Sequence, residues 1–383
     1  MDGKLYLMCY NTPVRYNFFE KKENSMIEYV RVQNLKKGDV SARALFEESG
    51  RVFIKEGQAL DEETLLYLKH LGYKGIYIQH IGQKRRELIP LPDPLLDNAL
   101  LIKLFYTFKR VFDNKNIIYD VNDPVFMADK TVLEGLIEEI VDTLIQADKE
   151  GKLLFEMQDQ RSFNTWIYFH SINVCFLSIA IAIKLGMSKK EILEVALGAI
   201  YHDMGKGRMD DYIVNRTNLS EKERMLLRDH PTNMFYFLKK HHYPMNTLYA
   251  VWQHHEKIDG SGYPKGLKQG QIFKSAHIVA CANAYDHHIN KNPYGDAHMY
   301  PSEAIEYMCA NQEQDLECLK AMLQVVVPYS VGTKVRLSDG SVAIVVKNSV
   351  HQPLRPIVLI NKELVHLDSD SAYLNVTIKG VIE

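Results

Sequence analysis

The spacing of apolar and polar positions changes character three times along the chain. Residues 1–26 (MDGKLYLMCYNTPVRYNFFEKKENSM) keep no period and end in the polar stretch EKKENS, which predicts a weakly ordered arm. Residues 27–82 read as a small α+β module. IEYVRV alternates as a strand, Lys37-Gly38-Asp39 supplies a turn, and ARALFEESGRVFIKEG reads as two strands joined at Ser49-Gly50. DEETLLYLKHLG has acidic residues in its first turn and one apolar face, so it predicts a helix ending at Gly72, with YKGIYIQ as a closing strand. Residues 83–94, rich in charge and proline, form a linker. Over 95–328 the period becomes helical. VLEGLIEEIVDTLIQA, SINVCFLSIAIAIKLG and KEILEVALGAIYHD all place apolar residues three and four apart, so the expected fold class is mainly α, an all-helical bundle. Residues 329–383 alternate again, with Asp339-Gly340 between two β-rich runs, and predict a small β domain.

Composition narrows the function classes. At roughly 150 residues per domain, 383 residues allow two or three domains. With 46 Lys+Arg against 48 Asp+Glu the net charge is -2, which argues against a broad face for a long nucleic acid. Five cysteines (Cys9, Cys175, Cys281, Cys309, Cys318) form no CxxC pair and suit reduced thiols in a cytoplasmic protein. The most apolar run, Val174 to Ile183, stops at Lys184 and is too short to span a bilayer, so no membrane contact is expected. The uneven quantity is histidine: eleven of the 15 fall between His170 and His298.

Several of these histidines stand where the period calls for apolar side chains. His170 lies just ahead of SINVCFLSIAIAI, His202-Asp203 ends EVALGAIYHD, His230 closes the charged helix SEKERMLLRDH, and His254-His255 sit in AVWQHHEKIDGSGYP. One helical histidine is more often exposed or hydrogen bonded in a core than a ligand. Five imidazoles and a carboxylate on inward faces would cost free energy unless they were hydrogen bonded or shared a cation. An imidazole-rich set with one carboxylate and no thiolate suits iron, manganese or zinc. Five imidazoles exceed what one tetrahedral zinc takes, so two metals bridged by Asp203 fit the count better. Such a pair lowers the pKa of a shared water and stabilises both oxygens of a phosphoryl displacement. Lys206, about a helical turn on, would bind a phosphate oxygen as a point charge, although taken alone it reads as a solvated helix-end lysine.

His202-Asp203-x-Gly205-Lys206 and His254-His255-Glu256-x-x-Asp259-Gly260-x-Gly262-Tyr263-Pro264, followed by Gly266-Leu267, closely resemble the HD-GYP family, a branch of the HD metallophosphohydrolases that degrade cyclic di-GMP. The resemblance runs from about His170 to Pro293, and more loosely over 95–328. It implies His170, His202, Asp203, His230, His254 and His255 as metal ligands with Asp203 bridging, and Lys206 on the scissile phosphate. The loop Asp259–Pro264 would shape the substrate site through Gly262, Tyr263 and Pro264. Gly260 and Gly262 would supply positive φ. The implied activity is a cyclic dinucleotide phosphodiesterase using a binuclear iron or manganese centre, or zinc, with a metal-bridging hydroxide as nucleophile. The expected partners are the cyclic dinucleotide, a protein at the GYP loop and a second copy of the chain.

The chain departs from the family at three places. Where the family has Asp-x-x-Asp this chain has Asn283-Ala-Tyr-Asp286, so Asn283 offers a carbonyl oxygen in place of a carboxylate and Asp286 orients a ligand. Where the family has Asp-Arg-Pro-Tyr and a base it has Lys291-Asn292-Pro293-Tyr294-Gly295, leaving Lys291 as the substitute phosphate contact. Trp166 stands where a trinuclear subgroup has Glu, which implies two metals. Two other readings stay open: a weakened member that senses a cyclic dinucleotide or binds a protein, and a phosphodiesterase for a different cyclic dinucleotide. An oxygen-using di-iron protein is disfavoured by Lys206 and the GYP loop.

Overall fold

The computed structural model describes residues 26–42, 45–46, 52–70, 73, 75–80, 96, 98–114, 123–155, 166–208, 219–290, 299–349, 352–361 and 363–382. Residues 1–25 of the arm, the linker, the Ser49-Gly50 turn, the helix end expected at Gly72, and Lys291 with its neighbours to Gly295 lie outside them. The chain divides into two compact units, one of residues 1–99, 150–165 and 326–383 and one of residues 100–149 and 166–325.

In the first unit, β1 (Met26–Arg31), β2 (Val40–Ser41) and β5 (Gly75–His80) form an antiparallel sheet in the order β1-β5-β2. A short ribbon pairs β3 (Leu45–Phe46) with β4 (Val52–Ile54). The helix α1 (Glu62–His70) puts Leu68 into a core with Val32, Ile54, Leu60, Ile76 and Ile78. The tail is a five-stranded antiparallel sheet, ordered β10-β6-β7-β8-β9, of β6 (Lys334–Leu337), β7 (Val342–Lys347), β8 (Ile357–Ile360), β9 (Glu363–His366) and β10 (Ile378–Val381). Val335, Leu337, Ala343, Val345, Val358 and Val365 share its buried face, as a period of two requires. Gly340, at φ +88°, makes the β6–β7 turn foreseen at Asp339-Gly340. Residues 150–155 belong with this unit: Leu154 packs with Val327 and Val331, and the Val327 amide donates to the Phe155 carbonyl at 2.9 Å.

The second unit is helical. It contains α2 (Asn98–Asp113) from residue 100 on, α3 (Pro124–Lys149), α4 (Trp166–Lys184), α5 (Lys189–Tyr201), α6 (Glu221–Arg228), α7 (His230–Lys240), α8 (Met245–Gln253), α9 (Lys274–Ile289), α10 (Pro301–Asn311) and α11 (Leu316–Leu323). A helix apolar all round belongs inside a bundle. That is α4, which buries residues on every face and packs against α3, α5, α9 and α11. It starts at Trp166, earlier than the apolar run suggested, and reaches a length and apolarity that would cross a membrane; most of it is buried by the other helices. The N-terminus of α5 is fixed by a capping box, Ser188 with Glu191. At Gly198 an added Cβ would sit 2.5 Å from the Ala250 Cβ, so this glycine lets α5 and α8 cross closely.

Candidate metal centre

The close crossing of α5 and α8 determines where the histidines meet. One helical turn beyond Gly198 and Ala250 come His202 and His254, the residues that follow the last turns of α5 and α8, with ring centroids 4.9 Å apart. His170 reaches the same place from inside α4. His230 opens α7, where the sequence suggested the end of the preceding helix. The chain breaks at Asp229 because Pro231 lacks an amide for a continuing helix but suits the first turn of a new one. The turn Met204–Arg208 then packs so tightly on α7 that a Cβ at Gly205 would meet the His230 carbonyl oxygen at 2.5 Å.

Three imidazoles share one hydrogen-bond pattern. Nδ1–H of His202 donates to the Ala199 carbonyl at 2.7 Å, that of His230 to Leu227 at 2.6 Å, and that of His254 to Val251 at 2.7 Å. Each uses a carbonyl three residues earlier, in the last turn of the helix that precedes it, and each is held in the tautomer whose Nε2 lone pair is free. His170 gets the same treatment from a carboxylate: its Nδ1–H donates to Asp286 Oδ2 at 2.7 Å. Asp286 is itself fixed through Oδ1 by the amides of Asn173 (3.3 Å) and Asn290 (2.8 Å).

The freed nitrogens gather around Asp203 in two sets. Oδ2 lies 3.5 Å from the Nε2 atoms of both His170 and His202, which stand 3.2 Å apart. Oδ1 lies 3.1 Å from His230 Nε2 and 3.8 Å from His254 Nε2, which stand 3.4 Å apart. His255 completes the second set, its ring 5.2 Å from that of His230. Neutral imidazoles whose lone pairs face one another at these distances repel unless a cation lies between them. At this site Oδ1 of Asp203, Nε2 of His255 and Oδ1 of Asn283 are buried without a hydrogen-bond partner. The donor set therefore fits a metal centre.

Charge is tightly held here. Burial pushes His202 down to about 3 against the pull of Asp203, and drives His254 and His255 well below the ordinary imidazole range; His230 is lowered too. Burial alone would raise Asp203, but Lys206, His202 and His230 hold it well below the usual carboxylate range. Lys206 Nζ contacts Asp203 Oδ2 at 2.6 Å, so this lysine lies at the carboxylate that joins the two sets.

The GYP loop is built against the second set. The Glu256 carboxylate, buried and given no role by the sequence reading, accepts from the amides of Lys265 (2.7 Å) and Leu267 (2.8 Å) and closes the loop. Gly260 has φ +85°, as foreseen. Gly262 needs its missing Cβ for another reason: it would meet the backbone of His255 and Lys257 at 2.4 Å. Tyr263 stacks on His255 (4.5 Å, 20°), with its amide donating to the His255 carbonyl at 3.1 Å, and Pro264 follows in a cis peptide. Trp166 stacks on His170 at 5.0 Å, and His287, which the sequence left unassigned, lies 4.6 Å from the same ring. Its position four residues after Asn283 on α9 was the available signal.

Fold and site together define a helical domain whose buried His/Asp groups could hold a metal. Residues 149–317 match the HD domain family. The chain is similar to the cyclic di-GMP phosphodiesterase PA4108 of Pseudomonas aeruginosa, 31% identical over 228 residues, covering 59% of this chain and 54% of that protein. It is also similar to a cyclic di-GMP phosphodiesterase of Thermotoga maritima, 30% identical over 202 residues, 52% of each chain. The chain thus spans about half the length of these curated relatives. Among solved structures, Bd1817, an HDG"Y"P protein from Bdellovibrio bacteriovorus, aligns at 19% identity and a TM-score of 0.46, over 77% of this chain and 98% of that one.

Proposed function

We propose that this chain is a metal-dependent phosphodiesterase that opens a cyclic dinucleotide, cyclic di-GMP in the first instance, to the linear dinucleotide pGpG. The observation that carries this reading is the division of Asp203, one oxygen toward His170 and His202 and the other toward His230 and His254. His170 and His202, with Asn283, would hold one cation, and His230, His254 and His255 the other, with Asp203 common to both. Iron or manganese suits the imidazole-rich set, and zinc is the next choice. A bound divalent pair lowers the pKa of water and neutralises charge on phosphoryl oxygens. The chain's own part is orientation and charge. Asp286 and the three last-turn carbonyls fix the imidazole tautomers. Lys206 brings a cation next to Asp203, where charge grows on a phosphate being cleaved. Glu256 and Tyr263 brace His255 from the loop side. In the same reading the loop 259–264 offers an edge to a protein partner or a second copy of the chain, and the buried free thiols of Cys175, Cys281 and Cys318 suit the cytoplasm.

The test is turnover by the full chain loaded with iron, manganese or zinc, with products separated as linear dinucleotide or GMP. Cleavage of cyclic di-GMP is expected; failure on every cyclic dinucleotide offered, with all three metals, removes the enzyme reading. One observation favours a second reading, a cyclic dinucleotide sensor: the donor at position 283 is a neutral amide. Binding without turnover, together with turnover gained by Asn283→Asp, would establish it.

A further inference from the structure

The ring that packs on His255 also has a cation beside it. His255 carries Tyr263 on its ring at 4.5 Å, and the guanidinium of Arg228 lies over the Tyr263 ring, with Cζ 5.3 Å from the centroid. Arg228 ends α6, is exposed, and stands two residues before His230, so the same backbone turn positions a ligand and this cation. Lys265, in the same loop, lies over the Trp252 ring, and three other lysines are engaged by carboxylates. Lys206 is held by Asp203, Lys257 by Glu313, and Lys274 by Asp315 and Glu317. Arg228 has no carboxylate partner among the described residues. An arginine held over a ring by cation–π attraction keeps N–H donors to offer, and its planar fork matches a phosphate in two-point contact.

A cyclic dinucleotide carries two phosphodiesters, and only one can lie at the metals. We propose that Arg228 binds the second, uncleaved phosphate, and that Tyr263 serves as the platform that aims it. This makes Arg228 a specificity-determining residue that favours two-phosphate substrates over diesters with a single phosphate. The inference rests on the phosphodiesterase reading above, and it enlarges the site to include the end of α6.

The experiment compares wild type, Arg228→Gln and Arg228→Lys, all metal-loaded and full-length, on cyclic di-GMP and on bis(p-nitrophenyl) phosphate, which has one phosphate. Arg228→Gln is expected to lower the ratio of kcat/KM for cyclic di-GMP over bis(p-nitrophenyl) phosphate by about tenfold or more, the size of a lost charged hydrogen-bond pair. The change should come through KM, with metal content at the wild-type level. Arg228→Lys should fall between, since lysine keeps the charge without the fork. An unchanged ratio overturns the proposal. So does a parallel loss on both substrates with loss of metal, which would make Arg228 a brace for Tyr263 and His255. If wild type cuts only bis(p-nitrophenyl) phosphate, the cyclic dinucleotide reading fails on its own. Equilibrium binding of cyclic di-GMP then decides the Arg228 proposal: equal affinity in wild type and Arg228→Gln, or no binding by either, overturns it.

Discussion

Asp286 shows how much of the centre depends on side chains that never reach the metal position. It accepts from His170 Nδ1 at 2.7 Å and is clamped by two amides, so it sets both the tautomer and the tilt of that ring. Asp286→Ala should weaken metal binding about 10- to 100-fold, the usual cost of removing such a partner. Metal titration followed by elemental analysis checks this, and wild-type affinity would contradict it. The motif pattern named Asp286 for this place. What it could not supply was the reason for Gly262, which lies in the approach of its Cα to the His255–Lys257 backbone. Positive φ was the reading available from the residue type. Close approach depends on the path of a distant part of the loop, and residue type does not encode that.

At the scale of elements, the centre is a meeting of helix ends. Gly198 sets the α5–α8 crossing, and Gly205 sets the turn Met204–Arg208 against α7. Both contacts are backbone-close, so a single methyl group is felt. Gly205→Ala is expected to destabilise the fold by about 1–3 kcal/mol and to reduce metal content as His230 is displaced. Chemical denaturation with parallel metal analysis reads both effects; wild-type stability together with wild-type metal content would contradict the packing argument. Periodicity revealed α4 and α5 but misplaced His230, because Pro231 permits either the end of one helix or the start of the next. Only the packing of the next helix decides between them.

At the scale of the whole molecule, the buried imidazoles tie stability to acidity. In metal-free protein the unfolded chain takes up protons near the ordinary histidine value of 6.5, whereas folded His202 does so only at about 3. Stability is therefore fully present above pH 6.5 and is lost as pH falls through that window, by roughly 1.4 kcal/mol per pH unit for each such imidazole. His230, His254 and His255 act in the same direction, and below the ordinary carboxylate value of 3.8 so does Asp203. Thermal unfolding of the metal-free chain between pH 7 and 4 should show a steadily falling Tm; a flat Tm would contradict the burial argument. The histidine-rich third of the chain was legible from composition, and its convergence from the motifs. The division of Asp203 between two sets depends on tertiary geometry that no spacing records. The last-turn carbonyls bound by His202, His230 and His254 have a further consequence. The C-terminal ends of α5, α6 and α8 each anchor one of these histidines, and each carries the negative pole of a helix dipole, equivalent to about half an elementary charge. With Asp203 the sole carboxylate in the two donor sets, these backbone poles add negative potential beside the histidines, which would favour cations there.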